Sequence, residues 1–130
     1  MKHILFMAVL VLTSCSTFLV SKYDNNEYEL INRIRTSAEL AVETCSDSEL
    51  SKQNFTNLYQ DSLEFKNFTQ YLRRNKDTHE LAINLHQLIA QGIDLYDTTE
   101  QVSQTFCELS LSQISESAET IQKVLGDKPR

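Results

Sequence analysis

The chain has 130 residues, 41% hydrophobic and 23% charged, with a formal net charge of −6. This is enough chain for one modest core, and the acidic balance argues against nucleic acid, whose phosphates demand a basic patch, and against attraction of the folded surface to anionic headgroups. Two glycines and one proline are too few turn residues for a β protein, which needs a turn every ~8–12 residues, so the chain reads as all-α.

Lys2 and His3 precede an uncharged apolar run over 4–12, the charged start and greasy middle of a secretory signal peptide. The run falls short of the ~20 apolar residues that span a bilayer. It ends in Leu12-Thr13-Ser14-Cys15, which resembles the lipobox of bacterial lipoproteins: an aliphatic residue, two small residues, then cysteine. The resemblance implies cleavage after residue 14 and a diacylglycerol on the Cys15 thiol, an anchor that needs no spanning helix. By the same resemblance, an aspartate after the cysteine would favour the inner membrane. Ser16 favours the outer membrane, facing the periplasm. The expected organisation is a signal peptide over 1–14, a lipidated tether over 15–26, a helical domain over 27–126 and a tail over 127–130. Loss of 1–14 removes Lys2 and no carboxylate, so the mature chain is more acidic still.

The first helix is predicted over 27–45. Ile31, Ile34, Ala38, Ala41 and Cys45 recur at alternating spacings of three and four, one apolar stripe. Ser46 and Glu49 then have capping-box spacing. The second helix is predicted over 48–73, with Phe55, Leu58, Ser62, Phe65, Thr69 and Leu72 on one face and Tyr59, Leu63, Phe68 and Tyr71 beside it. Asn75-Lys76-Asp77 breaks the pattern, and Asp77 with Glu80 offers a second capping box. From 78 onward Leu81, Leu85, Leu88, Gly92, Leu95, Thr99, Val102, Phe106 and Leu109 keep a heptad-like register. Asp97-Thr98-Thr99-Glu100 reads as a cap inside it, leaving open whether this helix continues or breaks. Leu111, Ile114, Ala118, Ile121 and Leu125 form a last stripe, stopped by Gly126 and Pro129. The expected fold is a small antiparallel bundle of three to four helices with one disulfide.

With Cys15 assigned to lipid, Cys45 and Cys107 remain as an even pair that an oxidising periplasm should bridge. If the third helix descends without a break, residue 107 lies about 44 Å along it, back at the level of residue 45 after a second helix of about 38 Å; a break would loosen this without forbidding it. No catalytic or metal constellation emerges. His79 and His86 are seven apart, too far along a helix to share an ion, and read as solvated polar residues. Asp61 with Glu64, and Asp94 with Asp97, read as a wet face. No Ser-His-Asp order, Gly-rich phosphate loop or Cys-x-x-Cys is present. The chain is therefore expected to be a non-enzyme, with no cofactor, nucleic acid or small-molecule substrate.

Ala38-Glu39-Leu40-Ala41-Val42-Glu43-Thr44-Cys45, followed by Ser46-Asp47-Ser48-Glu49-Leu50, resembles the end of the first helix, the cysteine and the acidic turn of the type II secretion pilotins, the PulS/OutS type. Asp97-Thr98-Thr99-Glu100 with Cys107 is similar to that family's later turn and second cysteine. The family's proline after the first cysteine, its central Gly-Trp and its Phe-Asn after the second cysteine are absent. The resemblance implies an outer-membrane lipoprotein that binds an amphipathic helix of a secretin subunit and guides it to the outer membrane. Phe55, Tyr59, Phe65 and Tyr71 are candidates for lining that groove, ordinary core being their other reading. A different function fits the same anchor: a phage or mobile-element lipoprotein, spanin-like or exclusion, that braces or blocks a membrane protein.

Overall fold

The computed structural model describes residues 20–130, so the leader, Cys15 and the lipidation expected there lie outside the described residues. Four helices follow in order: α1 (Asn25–Ala41), α2 (Ser48–Tyr71), α3 (Lys76–Thr98) and α4 (Gln104–Gly126), with a 3-10 turn over Val42–Thr44 after α1. Among the described residues there are no strands, and no helix is long and apolar enough to cross a membrane. The open question at 97–100 is resolved as a break, and Ser103 caps the new helix by accepting from the Phe106 N–H at 3.1 Å.

Local chemistry sets the other helix starts. Asp24 accepts from the Glu27 N–H at 3.0 Å and Asp47 from the Leu50 N–H at 2.9 Å. The cap before α2 is thus Asp47, one residue beyond the expected Ser46. The predicted Asp77 box is absent too: α3 begins after Asn75, whose side chain is drawn into the interior. The chain leaves α2 through Arg74 at φ 59°, a left-handed residue that reverses direction after a helix.

The helices run up and down alternately. The α1–α4 and α2–α3 pairs pack most extensively, α1–α2 less, and α3–α4 least. The stripe of the first helix is buried as predicted, from Ile31 through Cys45, and so is the last, Leu111 to Leu125. On α2, Phe55, Leu58, Ser62, Phe65 and Thr69 are buried. On α3 the expected stripe holds at Leu85 and Gly92, which are buried, and shifts by one residue at 81, 88 and 95. The buried face is Thr78, Ala82, Leu85, Ile89, Gly92 and Tyr96, whereas Leu81, Leu88 and Leu95 are half-buried and Leu109 on α4 is 61% exposed. Gly92 lets the Phe55 ring lie on the α3 backbone, 2.5 Å from where a Cβ would stand, and that ring stacks at a tilt on Tyr96, centroids 5.2 Å apart. Gly92→Ala is therefore expected to destabilise by about 1–3 kcal/mol through overpacking, against a helix-propensity gain of about 1 kcal/mol. Urea unfolding of the variant measures the balance.

Cys45 and Cys107 form the disulfide, with Cα atoms 5.6 Å apart. It ties the end of α1 to the first turn of α4 and marks one pole of the bundle. The opposite pole carries the entry of the chain and the end of α4, which are joined: the Tyr23 N–H donates to the Pro129 carbonyl at 2.9 Å. Tether and tail are accordingly shorter than expected, since Ser21 and Lys128 are buried.

Candidate functional site: a seam, a polar knot and a basic rim

Of the four aromatic candidates, Phe55 and Phe65 are fully buried core residues. A groove lined by them is corrected by the packing: Phe55 fills the α2–α3 interface over Gly92. Tyr59 is half-buried and lies against His86, ring centroids 4.6 Å apart. Tyr71 is 84% exposed at the end of α2. The four do not converge on one surface.

His86 is buried and His79 half-buried, contrary to expectation, and both bond across from α3 to α2. Ser62 Oγ donates to the Tyr59 carbonyl at 2.9 Å and meets His86 Nδ1 at 2.8 Å. The hydroxyl proton being committed, Nδ1–H donates to Ser62. Thr69 Oγ1 repeats the arrangement, donating to the Lys66 carbonyl at 2.8 Å and meeting His79 Nδ1 at 3.0 Å. The seven-residue spacing on α3 matches that of Ser62 and Thr69 on the antiparallel α2. Burial, helped by the charge of Lys66, pushes the His86 pKa below its ordinary value. A depressed folded pKa contributes stability that is complete above the unfolded value of about 6.5 and is lost as pH falls through it towards the folded pKa. Stability is thus expected to decline below about pH 6.5, and less steeply in His86→Gln; thermal melting across that window checks it.

The expected wet carboxylates at 61 and 64 hold Arg33 of α1, at 3.4 Å from Asp61 and 2.6 Å from Glu64. Burial raises the Asp61 pKa, opposed by Arg33 and reinforced by Glu64. Among the described residues no group of His, Cys, Asp and Glu is placed to hold a metal ion.

Sequence reasoning missed a buried polar knot at the pole opposite the disulfide. Glu27 is completely buried and Lys128 nearly so. Lys128 Nζ donates to Glu27 Oε2 at 2.8 Å and to Asn75 Oδ1 at 2.6 Å. Asn75 Nδ2 donates to Glu27 Oε1 and to the Thr69 carbonyl, and Ser21 Oγ donates to Asn75 Oδ1 at 2.8 Å. The knot joins the entry segment, α1, the α2–α3 turn and the tail. Its one sequence signal is that Glu27 lies four residues before Ile31, on the buried stripe.

Two surface features remain. Leu81, Leu88 and Leu95 recur at sevens on the half-buried face of α3. Leu88 borders a cleft of about 420 Å³ against Gln113, Glu116, Ser117 and Thr120 of α4. Here α4 meets leucine with polar side chains, the physical reason that α3 and α4 pack least of the neighbouring helices. At the knot's pole, Lys22 and Arg73 border a second cavity, of about 630 Å³. Comparison with known proteins gives no match: no family model fits the chain, and no curated protein or solved structure is similar to it.

Proposed function

We propose that the protein is an outer-membrane lipoprotein, anchored through Cys15 and facing the periplasm, that binds an amphipathic helix of a secretin subunit in the manner of a PulS/OutS-type pilotin and guides that subunit to the outer membrane. The observation that carries the reading is the leucine row of α3 beside the α3–α4 seam, where the bundle is least closed. A helix laid along the seam buries its own apolar residues on Leu81, Leu88 and Leu95 and leaves its polar side to Ser117 and Thr120. The Cys45–Cys107 bridge supports an oxidising compartment, which agrees with the signal peptide and lipobox. Recognition of this kind needs no cofactor and no chemistry of the protein's own.

The test pairs affinity with stability. Leu88→Glu is expected to weaken binding of a secretin C-terminal peptide by tenfold or more, a well-placed apolar anchor being worth about 2 kcal/mol. Its melting temperature is measured alongside, because Leu88 is partly buried against the core. Unchanged affinity rejects the seam. Cys15→Ala tests the anchor separately: it should abolish labelling by a palmitate analogue and release the protein from membranes.

A further inference from the structure

We propose that the pole at which the chain enters, around Val20, is a docking surface for an anionic phospholipid bilayer and stands the bundle upright on the membrane. Its cavity is lined by Lys22 and Arg73 together with Val20, Tyr23, Leu72 and Pro129. The Arg130 guanidinium lies 5.1 Å above the Tyr23 ring and adds a third cation to the rim. Lys22, Arg73 and Arg130 are all exposed. Val20 is 51% exposed, and Tyr71 stands out beside Leu72. Cations that meet phosphates, next to aliphatic and tyrosyl bodies that sit at headgroup depth, are the chemistry of a bilayer interface. Of the carboxylates nearby, Glu27 is held by Lys128. Asp24 lines the same cavity and caps α1. Asp77 and Asp127 border an adjoining cleft that shares Val20 and Ser21, so the three cations of the rim face one carboxylate within the cavity itself.

The net charge of −6 hides this surface because the charges are segregated along the bundle. Glu43, Asp47, Glu49, Asp97, Glu100 and Glu108 gather at the disulfide pole, where Lys52 is paired with Asp97 at 2.8 Å. Helix dipoles do not account for that gathering, since Glu43 and Asp97 lie at C-terminal helix ends, where carboxylates are disfavoured. The 23 residues of α3 separate the poles by about 35 Å, over three Debye lengths at ~0.1 M salt. A bilayer at the basic rim therefore feels the cations and hardly feels the acidic pole, and an approach by the acidic pole is repelled. The orientation rests on the anchor reading above. Five residues after Cys15 the chain reaches Val20, a span of at most about 18 Å, so an anchored Cys15 holds this pole to the headgroups.

Residues 20–130 contain a packed core and the disulfide, so the unlipidated domain serves as the test protein. It is incubated at ~0.1 M salt with vesicles of phosphatidylcholine, alone or mixed with phosphatidylglycerol. Binding is expected only to the mixed vesicles, and the triple variant Lys22→Glu/Arg73→Glu/Arg130→Glu should bind at least about tenfold more weakly. Lys52→Glu at the far pole should bind like the parent. A Gln version of the triple variant, expected to lose binding in the same direction, replaces the reversal if melting shows it unfolded. Equal binding by parent and triple variant overturns the proposal. So does displacement by inorganic phosphate at matched ionic strength, which would make the rim a site for free phosphate. Because the domain carries no lipid, vesicle binding decides the docking surface, and palmitate labelling of the full chain separately decides the anchor.

Discussion

Glu27→Ala is expected to cost about 3–5 kcal/mol, because it leaves the Lys128 ammonium buried with only the Asn75 carbonyl oxygen for a partner. Lys128→Ala should cost a similar amount by stranding the Glu27 carboxylate. In a domain of this size each kcal/mol moves the melting temperature by about 4 °C or more, so either variant should melt well over 10 °C lower. The pair itself is a different quantity. Replacing both partners by apolar groups of similar volume, Glu27→Leu with Lys128→Met, removes two buried charges at once and should restore most of the loss. Asn75 then keeps the Thr69 carbonyl as an acceptor and Ser21 as a donor. A double-mutant cycle in urea gives the coupling. Single variants within 1 kcal/mol of the parent would mean that water reaches the knot and relieves the stranded charge.

Breaking the disulfide is expected to act through the unfolded chain. Cys45 and Cys107 are 62 residues apart, and closing a loop of that length contributes about 4 kcal/mol in the chain-entropy model. Cys45→Ala/Cys107→Ala should thus lower the melting temperature by about 15 °C while leaving the helical circular-dichroism signal at room temperature unchanged. Peptide mapping without reductant should find the two cysteine peptides joined. A variant that melts like the parent would show that the unlinked chain is already confined at this pole.

The helices that sequence read well are those with a single apolar face. Ile31 to Cys45 and Leu111 to Leu125 alternate threes and fours with polar neighbours on both sides, so period and burial coincide. α3 has two apolar faces, and the leucines at 81, 88 and 95 outweigh Ala82, Gly92 and Tyr96 in any hydropathy pattern. Gly92, which both faces share, admits the Phe55 ring, and Tyr96 stacks on that ring, which draws the neighbouring face inward. Asn75 stands at the start of α3, but its side chain is consumed by the knot and caps nothing. The knot itself pairs residues 101 apart in the chain, and no local period encodes such a contact. His79 and His86 were legible as a pair at a spacing of seven, but their role needed the facing Ser62 and Thr69.

The central claim is that the α3–α4 seam receives a secretin helix at the outer membrane. The most direct measurement places a photo-crosslinking amino acid at position 88 of the full chain in the native envelope and identifies the adduct by mass spectrometry, with position 71 as the comparison. An adduct with the C-terminal segment of a secretin subunit is expected from position 88, much reduced from position 71. Adducts to that segment from position 71 and none from position 88, or a position-88 adduct to an unrelated membrane protein, would contradict it.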